Sequence, residues 1–494
     1  MKIILIDPLE GLSHGPKSLA SCLRSKGHTV ELLFLRLSLS EMLDKPGKIF
    51  CFEQPIINEV LNKVQGADLV GITVMTNSFD MSAHLTDEIK RNIGIPVIWG
   101  GVHPTVRPEE CLQYADIVCI GEGEASTAEL VHKMESNNEI SKTPGMWFNK
   151  NGQIIKNPVG PLIKDLDSLP IEDFDVNNMW VLHYGKLVRV NSQTYYNKGQ
   201  YTVLTARGCY FQCTFCINSY KKKLYAKENY FRRRSIPHFM RELKDVTSKY
   251  KNIKKIWFGD DTFLARPIKE LKFFRDMYKS EIGLPFYCLA IPDKNVQAEK
   301  IEILVSAGLD TIQFGIQSTT PRVLNLFKRP CYKEDVLNAS KVVKKVSKNK
   351  VPISYDIILD NPYETDPDII KSLEFLMQLP RPYTINYFSL HFFPGLELSE
   401  KAKKDGYIVD EKRDIYRTTY NIPQPNYLNS LFFLMKFYGA KKIPTFIIKV
   451  LIHKITIKIL NNKLISMILK LISKIRTKIR YVYVAGCLKT SLPQ

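Results

Sequence analysis

Acidic charge is missing from the end of this chain. After Asp414 no Asp or Glu occurs in 80 residues, against 14 Lys and Arg. The net charge of +20 is therefore concentrated there: the first 414 residues carry 56 basic against 50 acidic side chains, a balance of +6. A nucleic-acid footprint over the whole body is not expected. A long uninterrupted apolar run is missing too, because lysines break up the stretch from Ile443 to Ile472, which argues against a spanning helix. At the start, "MKIILIDPLEGL" has only a short apolar run, interrupted by Asp7 and followed by no cleavage pattern, so no signal peptide is expected. Ten cysteines in 494 residues are too sparse for a disulfide scaffold, and a reducing cytoplasm is the expected compartment. With 45% hydrophobic and 24% charged residues, the chain is a core-forming protein of more than one domain.

The order of elements predicts an α/β protein. Over residues 1–137, apolar runs at "KIILID", "TVELLFL", "DLVGITVM", "PVIWGG" and "DIVCIG" alternate with helix-length segments. That is the pattern of a doubly wound, Rossmann-like sheet, whose ligands bind beyond the carboxyl ends of the strands. Those ends carry Thr76, Asn77 and Ser78, then Gly100, Gly101 and His103, then Gly121, Glu122, Gly123 and Glu124. Residues 138–200 read as a hairpin turning at Asn151-Gly152, followed by a surface linker containing "LDSLPIEDFDV". Residues 201–400 hold six βα units, too few for a closed eight-fold barrel and suited to a partial one. Chemistry in such barrels sits at the carboxyl ends of the strands. Residues 401–494 read as a basic helical region.

The first strand end of the barrel carries "RGCYFQCTFC", with Cys209, Cys213 and Cys216. Zinc and ordinary iron–sulfur sites take four protein ligands. Zinc sites favour paired Cys-x-x-Cys motifs, whereas Cys288 and Cys331 stand alone. Three thiolates on a 4Fe–4S cube leave one iron open to a small molecule, and the basic runs "YKKKLY" and "FRRR" that follow are expected to offset an anionic cluster.

Cys-x3-Cys-x2-Cys with Phe215 before the last cysteine, on the loop after the first strand of a partial barrel, resembles the radical S-adenosylmethionine enzymes. The resemblance implies that the open iron binds the amino and carboxylate groups of S-adenosylmethionine, which is cleaved to a 5′-deoxyadenosyl radical. It also implies that Phe215 contacts this cosubstrate, and that Gly259, Asp260 and Asp261 in "FGDDTF" do so near its amino group. Gln317 and Ser318 in "GIQS" are implied at its ribose or carboxylate, although relatives more often carry Glu at the position of Gln317. Asp360 and Asn361 stand where relatives commonly have glycine.

The first domain, through "WGGVHPTVRPEECL", "GEGEAS" and the "LDSLPIEDFD" linker, is similar to the cobalamin-binding module that precedes the radical domain in many members. The resemblance implies cobalamin contacts from Thr76, Asn77, Ser78, Gly100, Gly101, His103, Gly121, Glu122, Gly123 and Glu124. Cobalamin-dependent mutases carry Asp-x-His-x-x-Gly, but His14 has the wrong spacing from Asp7, so no histidine–cobalt bond is expected. The implied activity is methyl transfer to an unactivated carbon or a phosphinate phosphorus. The alternatives are a cobalamin-dependent cyclase or rearrangement enzyme, a methylthiotransferase, and a non-enzymatic iron–sulfur or zinc sensor. The expected partners are a small-molecule or lipid-like substrate and an electron donor such as flavodoxin or ferredoxin, with no nucleic acid. Residues 463–480 read as a basic amphipathic helix, with Leu464, Ile465, Ile468, Leu471, Ile472, Ile475 and Ile479 on one arc, which suits peripheral membrane contact.

Overall fold

The computed structural model describes residues 1–9, 13–35, 51–191, 199–418 and 423–471. Five parallel strands, β1 (Lys2–Asp7), β2 (Thr29–Phe34), β3 (Leu69–Thr73), β4 (Val97–Gly100) and β5 (Ile117–Cys119), coincide with the five apolar runs. They are nearly wholly buried because helices cover both faces of the sheet.

The sheet is wider than the sequence pattern suggests. The hairpin β6 (Met146–Lys150) and β7 (Gln153–Lys156) adds antiparallel to β5, and its turn residues Asn151 and Gly152 both take positive φ, at 53° and 84°. A second hairpin, β8 (Met179–His183) and β9 (Lys186–Arg189), adds to the opposite edge beside β2. The strand order is therefore β7-β6-β5-β4-β3-β1-β2-β8-β9. The expected surface linker is instead tied into the first domain. Glu172 accepts from His14 (2.8 Å to Nδ1) and lies 3.3 Å from Lys17 Nζ, and Asp173 pairs with Arg24. Two of its acidic residues, Glu172 and Asp173, which read as solvent-facing, thus meet basic residues on the helix His14–Arg24.

The second unit begins with β10 (Gln200–Val203), then the short antiparallel pair β11 (Ala206–Arg207) and β12 (Arg232–Arg233). It continues with β13 (Lys255–Phe258), β14 (Phe286–Ala290), β15 (Leu309–Gln317), β16 (Ile353–Leu359) and β17 (Tyr383–Ser389). β10 and β13–β17 form one parallel six-stranded sheet in sequential order, an open partial barrel. One apolar core runs from Leu5 and Leu23 of the first domain through Phe239 and Leu243 to Leu376 of the barrel.

A C-terminal helix, Tyr427–Gly439, closes the barrel's far edge against β17 and the helix Asp366–Gln378. Asp360, which stands where glycine is common among radical enzymes, takes the left-handed φ of 57°. Its carboxylate accepts from Ser389 Oγ (2.7 Å), Asn429 Nδ2 (2.7 Å) and the Gln424 amide (2.9 Å), so it serves as the docking point of that helix.

Candidate active site

A cavity of about 490 Å³ lies where the carboxyl ends of both sheets face each other. The first domain contributes Leu5, Gly71, Thr73, Ile98, Gly100, Gly101 and the run Gly121–Glu124. The connecting segment contributes Leu166, Leu169, Pro170 and Glu172, so it forms a wall of the site. The barrel contributes Leu204, Arg207, Gly208, Asn218, Lys221, Tyr230 and Gly259–Asp261. Gly101 follows β4 with φ of 106°, and a Cβ there would come within 3.0 Å of Thr73 Oγ1 and 3.1 Å of the Val74 carbonyl. Only glycine fits that turn.

The acidic residues of the "GEGE" loop are taken up by the other domain. Arg207, two residues before Cys209, donates from Nη2 to Glu124 Oε1 (2.5 Å) and to Ser18 Oγ (3.1 Å), and its Nη1 lies 3.6 Å from Glu122. Arg232 grips Glu122 with both guanidinium nitrogens, at 3.0 and 2.7 Å. The Glu122 amide donates to Tyr225 Oη at 2.9 Å. Burial alone would raise the Glu124 carboxyl, but the Arg207 guanidinium outweighs it and holds the group below its ordinary value. These contacts bolt the cysteine loop to the loop after β5. Sequence reasoning missed Arg207, although it sits just before the Gly208-Cys209 turn, and expected Arg232 to face the cluster and not Glu122.

Cys209 and Cys213 are buried and Cys216 half-buried on one loop. Burial pushes the Cys209 thiol up to about 11 and the Cys216 thiol to about 12. Among the described residues no group of three His, Cys, Asp or Glu is gathered to hold a single metal ion. A cluster spreads its thiolates over separate irons and does not need that convergence. The basic run "FRRR" does not offset the thiols as expected: Arg232, Arg233 and Arg234 pair with Glu122, Glu270 and Glu242. That place is held by Arg329, which no motif or spacing in the chain singles out. It is buried, donates to the Gly315 carbonyl, and stands 3.6 Å from Cys213 Sγ.

The remaining candidates divide. Asp260 is buried and accepts from the amides of Thr205 (2.5 Å) and Ala206 (2.9 Å), so its carboxylate shapes the chain entering the cysteine loop. Asp261 opens to the cavity and accepts from Asn218 Nδ2 (2.8 Å), whose Oδ1 takes the Tyr230 hydroxyl at 3.1 Å. Phe215, Gln317 and Ser318 do not line this cavity. Phe215 packs edge-on against Phe327, centroids 4.8 Å apart. Gln317 takes a positive φ of 65° at a bulge in β15, a strained conformation for a side-chain-bearing residue. Ser318 donates to Glu364 Oε1 at 2.7 Å, and burial lifts that carboxyl to about 7.

In the first domain, Thr76, Asn77, Ser78 and His103 form a buried layer behind the cavity wall. The His103 Nδ1 shares a hydrogen bond with Thr76 Oγ1 (3.2 Å), and its Nε2 faces Glu110 at 3.5 Å. Burial lowers its pKa below the ordinary value, against the opposing pull of Glu110. His14 lines the cavity, paired with Glu172.

Comparison with known proteins assigns both halves. Residues 203–376 match the radical SAM superfamily model, and residues 9–131 match the B12 binding domain model. An uncharacterized methyltransferase of Pyrococcus horikoshii is 28% identical over 343 residues, covering 68% of this chain and 69% of the relative. The cytidylyl-2-hydroxyethylphosphonate methyltransferase of Streptomyces wedmorensis is 24% identical over 397 residues, 72% of this chain and 70% of the relative. The solved structure of the radical S-adenosylmethionine methyltransferase TsrM from Kitasatospora setae, with cobalamin and a 4Fe–4S cluster bound, shares the fold at a TM-score of 0.63 and 17% identity. That match covers 82% of this chain and 78% of TsrM.

A B12-binding sheet facing a partial barrel with a three-cysteine loop defines an enzyme that works with several cofactors. The chain belongs to the cobalamin-dependent radical S-adenosylmethionine enzymes, is methyltransferase-like, and has a 4Fe–4S cluster, S-adenosylmethionine and cobalamin as its cofactors. The residues present suit them. Leu5, Gly71 and Ile98 give the cavity apolar lining beside the side-chain-free Gly100 and Gly101, which suits a corrinoid. Two buried cysteines and one half-buried, with a buried guanidinium beside Cys213, suit a cluster.

Proposed function

We propose that this enzyme transfers a methyl group to an unactivated carbon, or a phosphinate phosphorus, of a small-molecule or lipid-like substrate. In this reading it receives electrons from a flavodoxin- or ferredoxin-type donor and contacts a membrane peripherally through its C-terminal helices. The observation that carries the reading is a cavity walled both by the glycine-bearing strand ends of the B12-binding sheet and, from the barrel, by the "GDD" loop and by Arg207 and Gly208 at the start of the cysteine loop. When bound there, cobalamin supplies the methyl carrier, and the cluster with S-adenosylmethionine supplies homolytic chemistry.

The protein's part is positioning and exclusion of water. Arg207 and Arg232, through Glu124 and Glu122, fix the spacing between the domains. Cys209, Cys213 and Cys216 would hold the cluster. Asp261, Asn218 and Lys221 give the cavity its polar face, suited to the charged end of the cosubstrate, while Leu166, Leu169 and Leu204 keep another face dry. The methyltransferase names of the two relatives support transfer over cyclisation.

Anaerobically reconstituted enzyme, given methyl-labelled S-adenosylmethionine, dithionite and a lipid or metabolite extract, should yield a product heavier by one labelled methyl group. A product carrying no added carbon would replace this reading with a cyclase or rearrangement enzyme.

A further inference from the structure

Three short helices end the described chain: Thr445–Leu451, Lys454–Leu460 and residues 463–471. Each anchors one side inward, through Ile448, Ile457 and Ile465. Their other sides leave Phe446, Val450, Ile455, Ile459, Leu464 and Met467 in water, each between 58% and 68% exposed. Between these stand Lys449, Lys454, Lys458, Lys463 and Lys470, all exposed, in a stretch without one acidic residue. A solvated face normally mixes both signs and scatters its apolar residues singly. None of the described helices is long and apolar enough to cross a membrane.

We propose that this face docks on an anionic lipid surface, with the apolar side chains entering the headgroup boundary and the lysines meeting lipid phosphates. The proposal deepens the membrane contact named above by giving it a surface, a lipid charge and a place relative to the active site. Asn461 Nδ2 donates to Asp366 Oδ2 at 2.9 Å, and Asp366 opens the helix just beyond the carboxyl end of β16. The Tyr427 hydroxyl donates to the Leu451 carbonyl at 2.9 Å, and Asn429, on the same helix turn as Tyr427, holds Asp360 at that strand end. The exposed face therefore lies beside the rim of the barrel. Resting on the methyl-transfer reading, the substrate class is an amphiphile presented from the bilayer to that rim.

Docking is tested without catalysis, by flotation of full-length reconstituted protein with vesicles of phosphatidylglycerol and phosphatidylcholine or of phosphatidylcholine alone. The protein should float with the anionic vesicles at low salt, be released by high salt, and ignore the neutral ones. Lys449→Gln, Lys458→Gln and Lys470→Gln together should weaken binding by about 100-fold, roughly fivefold per lysine. Phe446→Ser, Ile455→Ser and Leu464→Ser together should abolish flotation with the thermal melt unchanged, since all three side chains are exposed. Failure of the wild type to float at low salt overturns the proposal. Flotation only after removal of residues 472–494 overturns it in favour of a face covered by the chain's own end. A concentration-dependent dimer lost in the serine variant, without flotation, overturns it in favour of a second copy. Because no cofactor turnover is read, loss of the methyl-transfer reading leaves this test intact.

Discussion

Glu110→Gln probes how the far end of the barrel chain is fastened to the B12-binding domain. Glu110 lies just beyond the His103 turn and accepts from Lys412 Nζ (2.6 Å) and the Tyr416 hydroxyl (2.5 Å), with His103 Nε2 at 3.5 Å. Arg107–Glu411 and Arg417–Asp80, both at 3.2 Å, flank it. Burial alone would raise the Glu110 carboxyl; the contacts from His103, Lys412 and Tyr416 outweigh it and hold the group at about 2, against an ordinary 4.5. Each unit of pKa corresponds to about 1.4 kcal/mol, so the ionised carboxylate contributes up to about 3 kcal/mol, and about 2 after allowing for its partial exposure.

A folded-state pKa below the unfolded one means stability that is whole above about pH 5.5 and is lost as pH falls toward the folded value. Glu110→Gln should therefore cost about 2 kcal/mol at pH 7, with the gap to wild type narrowing by roughly half near pH 3. Urea unfolding across that pH range measures the gap, and hydrogen exchange over residues 410–418 should accelerate. A loss under about 0.5 kcal/mol at pH 7, or a gap that widens as pH falls, would refute the reasoning.

Arg207→Met leaves Glu124 buried with only the Ser18 hydroxyl as partner, so it should destabilise the chain by about 3 kcal/mol and increase proteolysis between residues 160 and 175. Glu124→Gln in that background should recover part of the loss, and no recovery would mean that the pair does not act as a latch. Arg329→Met removes the buried cation beside Cys213. The reconstituted cluster's midpoint potential should become more negative, since reduction adds negative charge there, and an unchanged potential in redox titration would place Arg329 away from the cluster.

Both sheets were legible because parallel strands covered on two faces write themselves as apolar runs, and all eleven such runs became strands. The segment 138–200 was harder. Glu172 and Asp173 look like solvent-facing acids in sequence, and only the fold brings His14, Lys17 and Arg24 to them. The cysteine loop announces itself by spacing, but Arg329 reaches it from more than a hundred residues away, and no periodicity connects them. Glu122 and Glu124 line the cavity, and their carboxylates also meet Arg232 and Arg207 across the domain boundary. A single sequence does not write such pairings, because charge complementarity between distant segments has no local signature. Of the amphipathic arc over 463–480, the described residues end at Leu471, so Ile472, Ile475 and Ile479 lie outside them.

We propose that one chain holds both a cluster on Cys209, Cys213 and Cys216 and a corrinoid in the facing sheet. It is tested most directly by measuring iron, acid-labile sulfide and corrinoid on the same sample, purified without oxygen and with cobalamin supplied. Wild type should carry about four irons, about four sulfides and one cobalamin per chain, and Cys213→Ala should lose the iron while keeping the cobalamin. Zinc in place of iron, or a wild-type protein with iron and no corrinoid, would contradict it.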